Sequence, residues 1–401
     1  MLFNLLYAVV ECERLGIRNE FKSLVKIRRG MKIKNLILFP TISLFLTFNT
    51  WVVSAADHLT PIRLGMTAFQ DMLAIKVGDE QGIYKRVGLD IEFINLPYAA
   101  ITEALAGGSL DLGCICETTV VTTWDNFPNQ RIANIFYTFE GSAIMVRPNA
   151  GFKTYDDFVG ELGDHSKALA ATVAQLKGRD ILTTKSTDME MGVGAALAAG
   201  GLGMSDVKIV DMNPNDGLAA FLTGTADAYL GGLPQRFRLV KEGMLTLVTA
   251  QDVGSEAVVL CGFLTTESFL KKNFDALVKF ANGTFITLQY VNANQDAAFG
   301  RISGLLNSMT GAQMSVKDIK NLWNKIEFFP STGAEMYWLL VSPSGNRYWR
   351  DRMEFVYDFY SKQGQVKNSM DFDEVFAFAP VLESYMKKHE PDAWAVIQQS
   401  K

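Results

Sequence analysis

The sequence predicts an α/β protein built as two lobes, each a mostly parallel sheet flanked by helices, with a helical C-terminal extension. Three observations predict it. The chain has 401 residues, more than one hydrophobic core ordinarily supports. Two stretches, roughly 61–116 and 179–234, each read strand, helix, strand, helix, strand, an order that builds parallel sheets covered on both faces. A short phrase also occurs twice. Ala104–Gly113 (ALAGGSLDLG) is answered by Ala220–Tyr229 (AFLTGTADAY), so that Gly108, Ser109 and Asp111 correspond to Gly224, Thr225 and Asp227. Each copy ends a helix, turns on a glycine, passes an aspartate and enters an apolar run.

Taken in order, Pro61–Thr67 reads as a short buried strand entering a polar loop. Asp71–Gly88 has helical spacing, with Leu73, Ala74, Val77 and Ile83 on one side and a glycine stop. Leu89–Leu96 alternates apolar and polar residues as a strand does. Tyr98–Gly108 is a helix stopped by glycine, and Leu110–Cys116 a buried strand. The second series repeats the plan: Arg179–Thr187 strand and loop, Asp188–Leu202 a small-residue helix, Val207–Asn213 strand, Pro214–Gly224 helix, Ala226–Pro234 strand and loop. Ala257–Phe285 adds a strand and a long helix. From about residue 280 the pattern is mainly helical, with Tyr348–Val366 and Phe372–His389 amphipathic. Crossings at Gly141–Pro148 and Gly254–Phe263 set lobe 1 at 57–144 and 256–401, and lobe 2 at 145–255. Ligands in open α/β sheets sit outside the carboxyl ends of the strands, so the repeated phrase is read as one half-site on each lobe.

The N-terminus stands apart. From Met31, two lysines precede a long uncharged apolar run that closes on Val53-Ser54-Ala55-Ala56, the plan of a secretory signal peptide over 31–56. The run is long for a leader, and its other reading is an uncleaved membrane anchor. Residues 1–30 are expected to be an over-extended reading frame upstream of the true start. No cysteine follows the small residues, so a lipoprotein is not expected. Residues 1–55 hold eight Lys/Arg against three Asp/Glu; without them the formal net charge of −5 becomes −10. An acidic body argues against nucleic acid and anionic lipid as partners. Of four cysteines, Cys114, Cys116 and Cys261 remain after the leader. An odd number excludes a fully paired framework, and Cys114 and Cys116, on one face of a strand, read as core packing. His58, His165 and His389 are scattered, so neither a metal site nor a cofactor is expected.

Six phrases then occur in order: GDEQGIYKRVGLDIEF, ALAGGSLDLG, VRPNAGFKTYDDF, LKGRDI, GLGMSDVKIVDMNPNDGLAAFLTGTADAY and FLTTESFLKK. From about Ile62 to Phe280 they resemble the nitrate/sulfonate/taurine group of periplasmic substrate-binding proteins, which includes binders of thiamine pyrimidine precursors. The resemblance implies a two-lobed, type II-like periplasmic binding protein, monomeric and exported. It implies closure on a small solute by hinge motion, and delivery to the transmembrane subunits of an ABC permease with their ATPase. It implies no catalysis. The alternative is an exported or mislocalised enzyme of the pyrimidine-synthesis type in the thiamine pathway, but no Ser/His/Asp grouping, metal-ligand spacing or phosphate loop stands in the chain.

The family's binding loops match four places. They are Thr67 with Phe69, Gln70 and Asp71; Glu117 with Thr118; Ser186, Thr187 and Asp188 at a helix start; and Gly232 with Arg236 beyond it. Thr187 to Glu190 has the form of a capping box, in which Glu190 reaches back to the cap. That places Asp188 and Glu190 where an anionic ligand would want a bare helix terminus. Asp71, Glu117 and Asp216 outnumber the cations Lys185 and Arg236 near these loops. The surplus favours a solute bearing an amine or another donor, taurine-like or an amine-bearing heterocycle, held between Glu117 and the Ser186–Asp188 helix start. The competing reading is an ordinary sulfonate or carboxylate held by Ser186, Thr187 and Arg236, with the acids turned outward. Phe69, Tyr98 and Trp124 are candidates for an aromatic wall.

Overall fold

The computed structural model describes residues 59–400; the expected leader, the segment upstream of it and the first two residues of lobe 1 lie outside the described residues. Strands β1 (Thr60–Met66), β2 (Leu89–Asn95), β3 (Leu112–Cys116) and β4 (Gln130–Phe139) belong to a first sheet. The chain then enters a second sheet of β5 (Ala143–Val146), β6 (Asp180–Thr183), β7 (Lys208–Asp211), β8 (Ala228–Tyr229) and β9 (Leu245–Thr249). It returns to the first with β10 (Val259–Thr266) and β11 (Glu327–Phe328). The strand orders are β11-β4-β10-β3-β1-β2 and β7-β6-β8-β5-β9.

β1 pairs in parallel with β2 and β3, in a register that sets Ile62 beside Ile91 and Leu64 beside Phe93. β6 likewise pairs in parallel with β7 and β8. The strands at the crossings depart from the mostly parallel plan, for β10 runs against β3 and β4, and β5 against β8 and β9. A strand arriving from the other lobe starts where the parallel strands finish, so it must run back against them. The first core packs Phe136 on Phe263 and Phe263 on Phe280, with ring centroids 5.1 and 4.7 Å apart. Phe280 belongs to the long helix Phe274–Ala293 of the C-terminal extension, which therefore seals this sheet. Ile144, Val146, Ile181, Leu197 and Leu247 form the core of the second lobe.

Two local readings change. The helix expected over 71–88 is broken into Leu73–Glu80 and Ile83–Arg86, because Gly82 adopts φ 69° and ends the first helix. β4 is buried along all ten residues, so it lacks the alternation that reveals a half-exposed strand. The cysteines also depart from plain core packing: Cys116 and Cys261 form a disulfide between paired positions of β3 and β10, and Cys114 remains free and buried.

The repeated phrase turns out to be a staple at the amino ends of β3 and β8. Gly108 (φ 74°) and Gly224 (φ 106°) occupy backbone space that a side chain disfavours. In each copy the residue after the glycine returns its N–H to the helix, Ser109 to Ala104 O and Thr225 to Ala220 O. The aspartates then clamp the neighbouring strand. Asp111 accepts the Arg63 N–H at 2.8 Å and Asp227 that of Asp180 at 3.0 Å, while Asp111 and Asp227 return their own N–H groups to Arg63 O and Asp180 O. The half-site reading is thereby corrected: the phrase aligns each strand from behind, and the strands' opposite ends meet the cleft.

Candidate functional site

The carboxyl ends of β1, β3, β6 and β8 face a narrow cleft with a free volume of ≈ 30 Å³, partly open to solvent. Phe69, Gln70, Asp71, Tyr98, Tyr137 and Phe139 line it from the first lobe, and Asp188, Met189 and Gly232 to Pro234 from the second. The Cys116–Cys261 disulfide lies in its wall. Five expected residues thus meet here: Phe69, Gln70, Asp71, Asp188 and Gly232.

Each polar group is held in a definite role. Thr67 ties the loop after β1 to the end of β2 through a 2.9 Å bond to Leu96 O, which aims the three residues that follow. Asp71 is buried; it accepts the Met72 N–H at 2.6 Å and a hydrogen bond from the Tyr137 hydroxyl. Burial pushes its carboxyl up to about 6 against the pull of those two donors. Gln70 gives its Nε2 to Glu327, a buried carboxyl delivered on β11, and its Oε1 is buried without a partner. Burial and the nearby Asp71 charge hold Glu327 well above the usual carboxylate range.

Asp188 opens the helix Asp188–Ala199, with Thr187 as its cap. Glu190 accepts the Ser186 N–H at 2.8 Å, one residue earlier than the expected capping box. Ser186 itself sits at φ 59°. Asp188 turns into the cleft, where the Tyr98 hydroxyl donates to it at 3.3 Å while accepting the Cys116 N–H at 3.1 Å. Burial raises this carboxyl also to about 6, moderated by Tyr98 and the Arg352 charge. Gly232 caps the helix Leu233–Lys241, and a Cβ there would press on Gln235 Oε1 at 2.9 Å and on the Phe69 ring.

The remaining expected residues do not reach the cleft lining. Glu117 is turned into the lobe: its carboxylate takes Arg352 Nε and Leu260 N–H, both at 2.8 Å. It therefore offers no free charge to a solute, and Asp71 stands in the place expected for it. Thr118 is buried beside it with an unpartnered Oγ1. Ser186 is engaged by Thr122 and Gln365, and the Thr187 carbonyl accepts the Tyr360 hydroxyl at 2.8 Å. Arg236 is spent on Gly141 O at 2.9 Å, at the first crossing. Trp124 donates to Ser369 O and lines nothing in the cleft. Tyr137, Glu327 and Arg352 escaped the sequence reading, since each acts through a partner far along the chain. Among the described residues, no group of three His, Cys, Asp or Glu could hold a metal ion.

The arrangement is therefore a cleft between two α/β lobes, walled by aromatic rings, that shows a visitor hydrogen-bond acceptors and no lysine or arginine among the described lining residues. Fold and cleft together define the class, a two-lobed protein with the fold of periplasmic binding proteins. A model of the NMT1-like family matches residues 55–301, and the chain belongs to that family. Over 247 residues it is 27% identical to a protein of Brucella abortus (strain 2308) whose name describes it provisionally as a binding protein, covering 60% of this chain and 69% of that one. The periplasmic aliphatic sulphonate binding protein SsuA from Escherichia coli shares the fold with TM-score 0.60 at 16% identity, over 80% of this chain and 99% of its own. The periplasmic nitrate-binding protein NrtA from Synechocystis PCC 6803 does so with TM-score 0.57 at 18% identity, over 85% and 89%. The desulfurization enzyme DSZB also shares it, with TM-score 0.54 at 13% identity over 82% and 99%, so the fold serves catalysis as well as binding.

Proposed function

We propose that this chain is an extracytoplasmic solute-binding protein that captures a small organic solute between its lobes and hands it to the transmembrane subunits of an ABC permease. One observation carries the reading. Asp71 from the first lobe and Asp188 from the second meet in one buried cleft with no cation of the protein beside them in its lining. Buried carboxyls left this way are costly unless something donor-rich joins them. A solute bearing an amine or another N–H donor supplies that need, and its capture by both lobes at once gives closure a driving force. A plain sulfonate or nitrate would face these carboxyls with no lysine or arginine among the described lining residues.

The lobe boundaries are proposed at 144/145 and 255/256, close to where the chain passes between the two sheets. Export through residues 31–56 into the periplasm is part of the same reading. The Cys116–Cys261 disulfide supports it, since such bonds persist in oxidising compartments. No described helix is long and apolar enough to cross a membrane. The protein acts as a monomer and without catalysis. Incubation with a bound solute, followed by release and mass analysis, tests this: the solute is expected at one per chain and chemically unchanged. Conversion of the solute would turn the reading toward the enzyme branch of the fold.

A further inference from the structure

Building on the solute-binding reading, we infer that the cleft selects a flat, delocalised organic cation of the amidinium or guanidinium class, bridging Asp71 on one lobe to Asp188 on the other, with Gln70 Oε1 as a third acceptor. Three side chains at the cleft direct a donor at an acceptor of the protein itself. The Tyr137 hydroxyl gives its proton to Asp71, the Tyr98 hydroxyl gives its proton to Asp188, and Gln70 Nε2 goes to Glu327. What these side chains leave for a solute includes acceptor capacity on two carboxylates and on one amide oxygen that is buried and unpartnered in the cleft wall. Gln70 is only 2% exposed, so this acceptor has no bulk water to satisfy it. It is an observation independent of the two acids, and it asks for a third N–H.

Shape and hydration decide among cations. The acceptors lie on two elements, after β1 and after β6, so a cation that serves them must carry N–H groups pointing in separate directions. A planar cation with N–H groups on several edges does so. The rings of Phe69 and Tyr98, with centroids 6.0 Å apart and tilted by 50°, offer faces to such a plane. A delocalised cation also sheds its water more readily than an ammonium on entering a narrow cleft.

The test is a thermal-shift and calorimetric comparison on the full exported chain. The probes are methylguanidinium, benzamidinium, methylammonium, methanesulfonate and nitrate. The two flat cations are expected to bind at one per chain and to bind more tightly than methylammonium. Asp188→Asn and, separately, Asp71→Asn should each weaken them by about 10- to 100-fold, as loss of a charged hydrogen bond does. Methanesulfonate or nitrate binding while the cations fail would overturn this inference and leave the solute-binding reading standing. So would methylammonium binding as tightly as methylguanidinium, or affinity for the flat cations unchanged in both variants. Failure of both flat cations to bind at millimolar concentration also overturns it. Chemical conversion of a probe would instead sink the solute-binding reading itself.

Discussion

Glu117 and Arg352 show how a charged side chain near a binding cleft can serve the scaffold instead. Both are buried, and their 2.8 Å contact joins the helix Glu117–Thr123 to the helix Trp349–Lys362, while Arg352 Nη1 reaches Glu256 O at the second crossing. Removing one partner strands the other charge. Glu117→Gln is expected to cost about 3–5 kcal/mol in urea unfolding, and Glu117→Gln with Arg352→Met to recover part of it. An unchanged unfolding midpoint in the single variant would contradict this role. Asp188 behaves differently. Its folded carboxyl sits at about 6 against an ordinary value of 3.8, so the folded state holds the extra proton between those values. The stability from that proton is present below about pH 4 and is lost as pH rises through 6. Asp188→Asn should therefore raise the stability of the solute-free protein at pH 7, by up to about 3 kcal/mol, and flatten its profile between about pH 4 and 6. A variant less stable than the parent at pH 7 would refute burial of a charged carboxylate as the cause. The acid surplus at the loops was legible in the sequence, and so was Asp188, because a helix start announces itself locally. Which acid stays free was not: Glu117 meets its partner 235 positions away, and Gln70 meets Glu327 257 positions away.

Elements were read most safely where periodicity and glycine agreed. The β-α-β runs that build β1 to β3 and β6 to β8 follow from local pattern, whereas β4 hid because every face of it is covered. The repeated phrase was visible as a repeat, but its purpose needed the neighbouring strand to be seen. Its two copies differ in strength. Asp111 takes the Arg63 backbone N–H and two bonds from the guanidinium, while Asp227 takes the Asp180 N–H and only a 3.5 Å approach from Arg179. Asp111→Ala is expected to cost about 2–3 kcal/mol and Asp227→Ala about 1 kcal/mol in chemical denaturation. Neither should change solute affinity, since both lie at the strand ends away from the cleft. Loss of binding without loss of stability would restore the half-site reading. A second element was not foreseen as part of the site region. The amphipathic helix Trp349–Lys362 leans on the second lobe, with Tyr360 on the Thr187 carbonyl and the Phe359 ring where a Cβ on Gly194 would collide at 2.2 Å. Beyond its end, Gln365 holds Ser186. The C-terminal extension thus braces the helix start that carries Asp188.

At the scale of the whole molecule, the described residues form two sheets joined by two crossings, with one acceptor-lined cleft at their facing edges. The disulfide fixes β3 to β10 beside that cleft, so its first-lobe wall is cross-linked while the second lobe is held through side chains. A cation bound there should favour the ionised form of both acids. Around Asp71 stand Tyr137, Glu327, Cys114 and Asp188, and around Asp188 stand Tyr98, Arg352 and Asp71. Burial pushes Tyr98, Tyr137, Cys114 and Glu327 well up, so they keep their protons through the acidic range and leave Asp71 and Asp188 to titrate. The most direct measurement is the dissociation constant of benzamidinium by calorimetry at pH 5 and pH 7, in buffers of different ionisation enthalpy so that protons are counted. Affinity should rise with pH, about tenfold for each carboxylate engaged, with net proton release on binding at pH 5. Binding that is equal at both pH values, or tighter at pH 5, would contradict a cleft that holds its solute through Asp71 and Asp188.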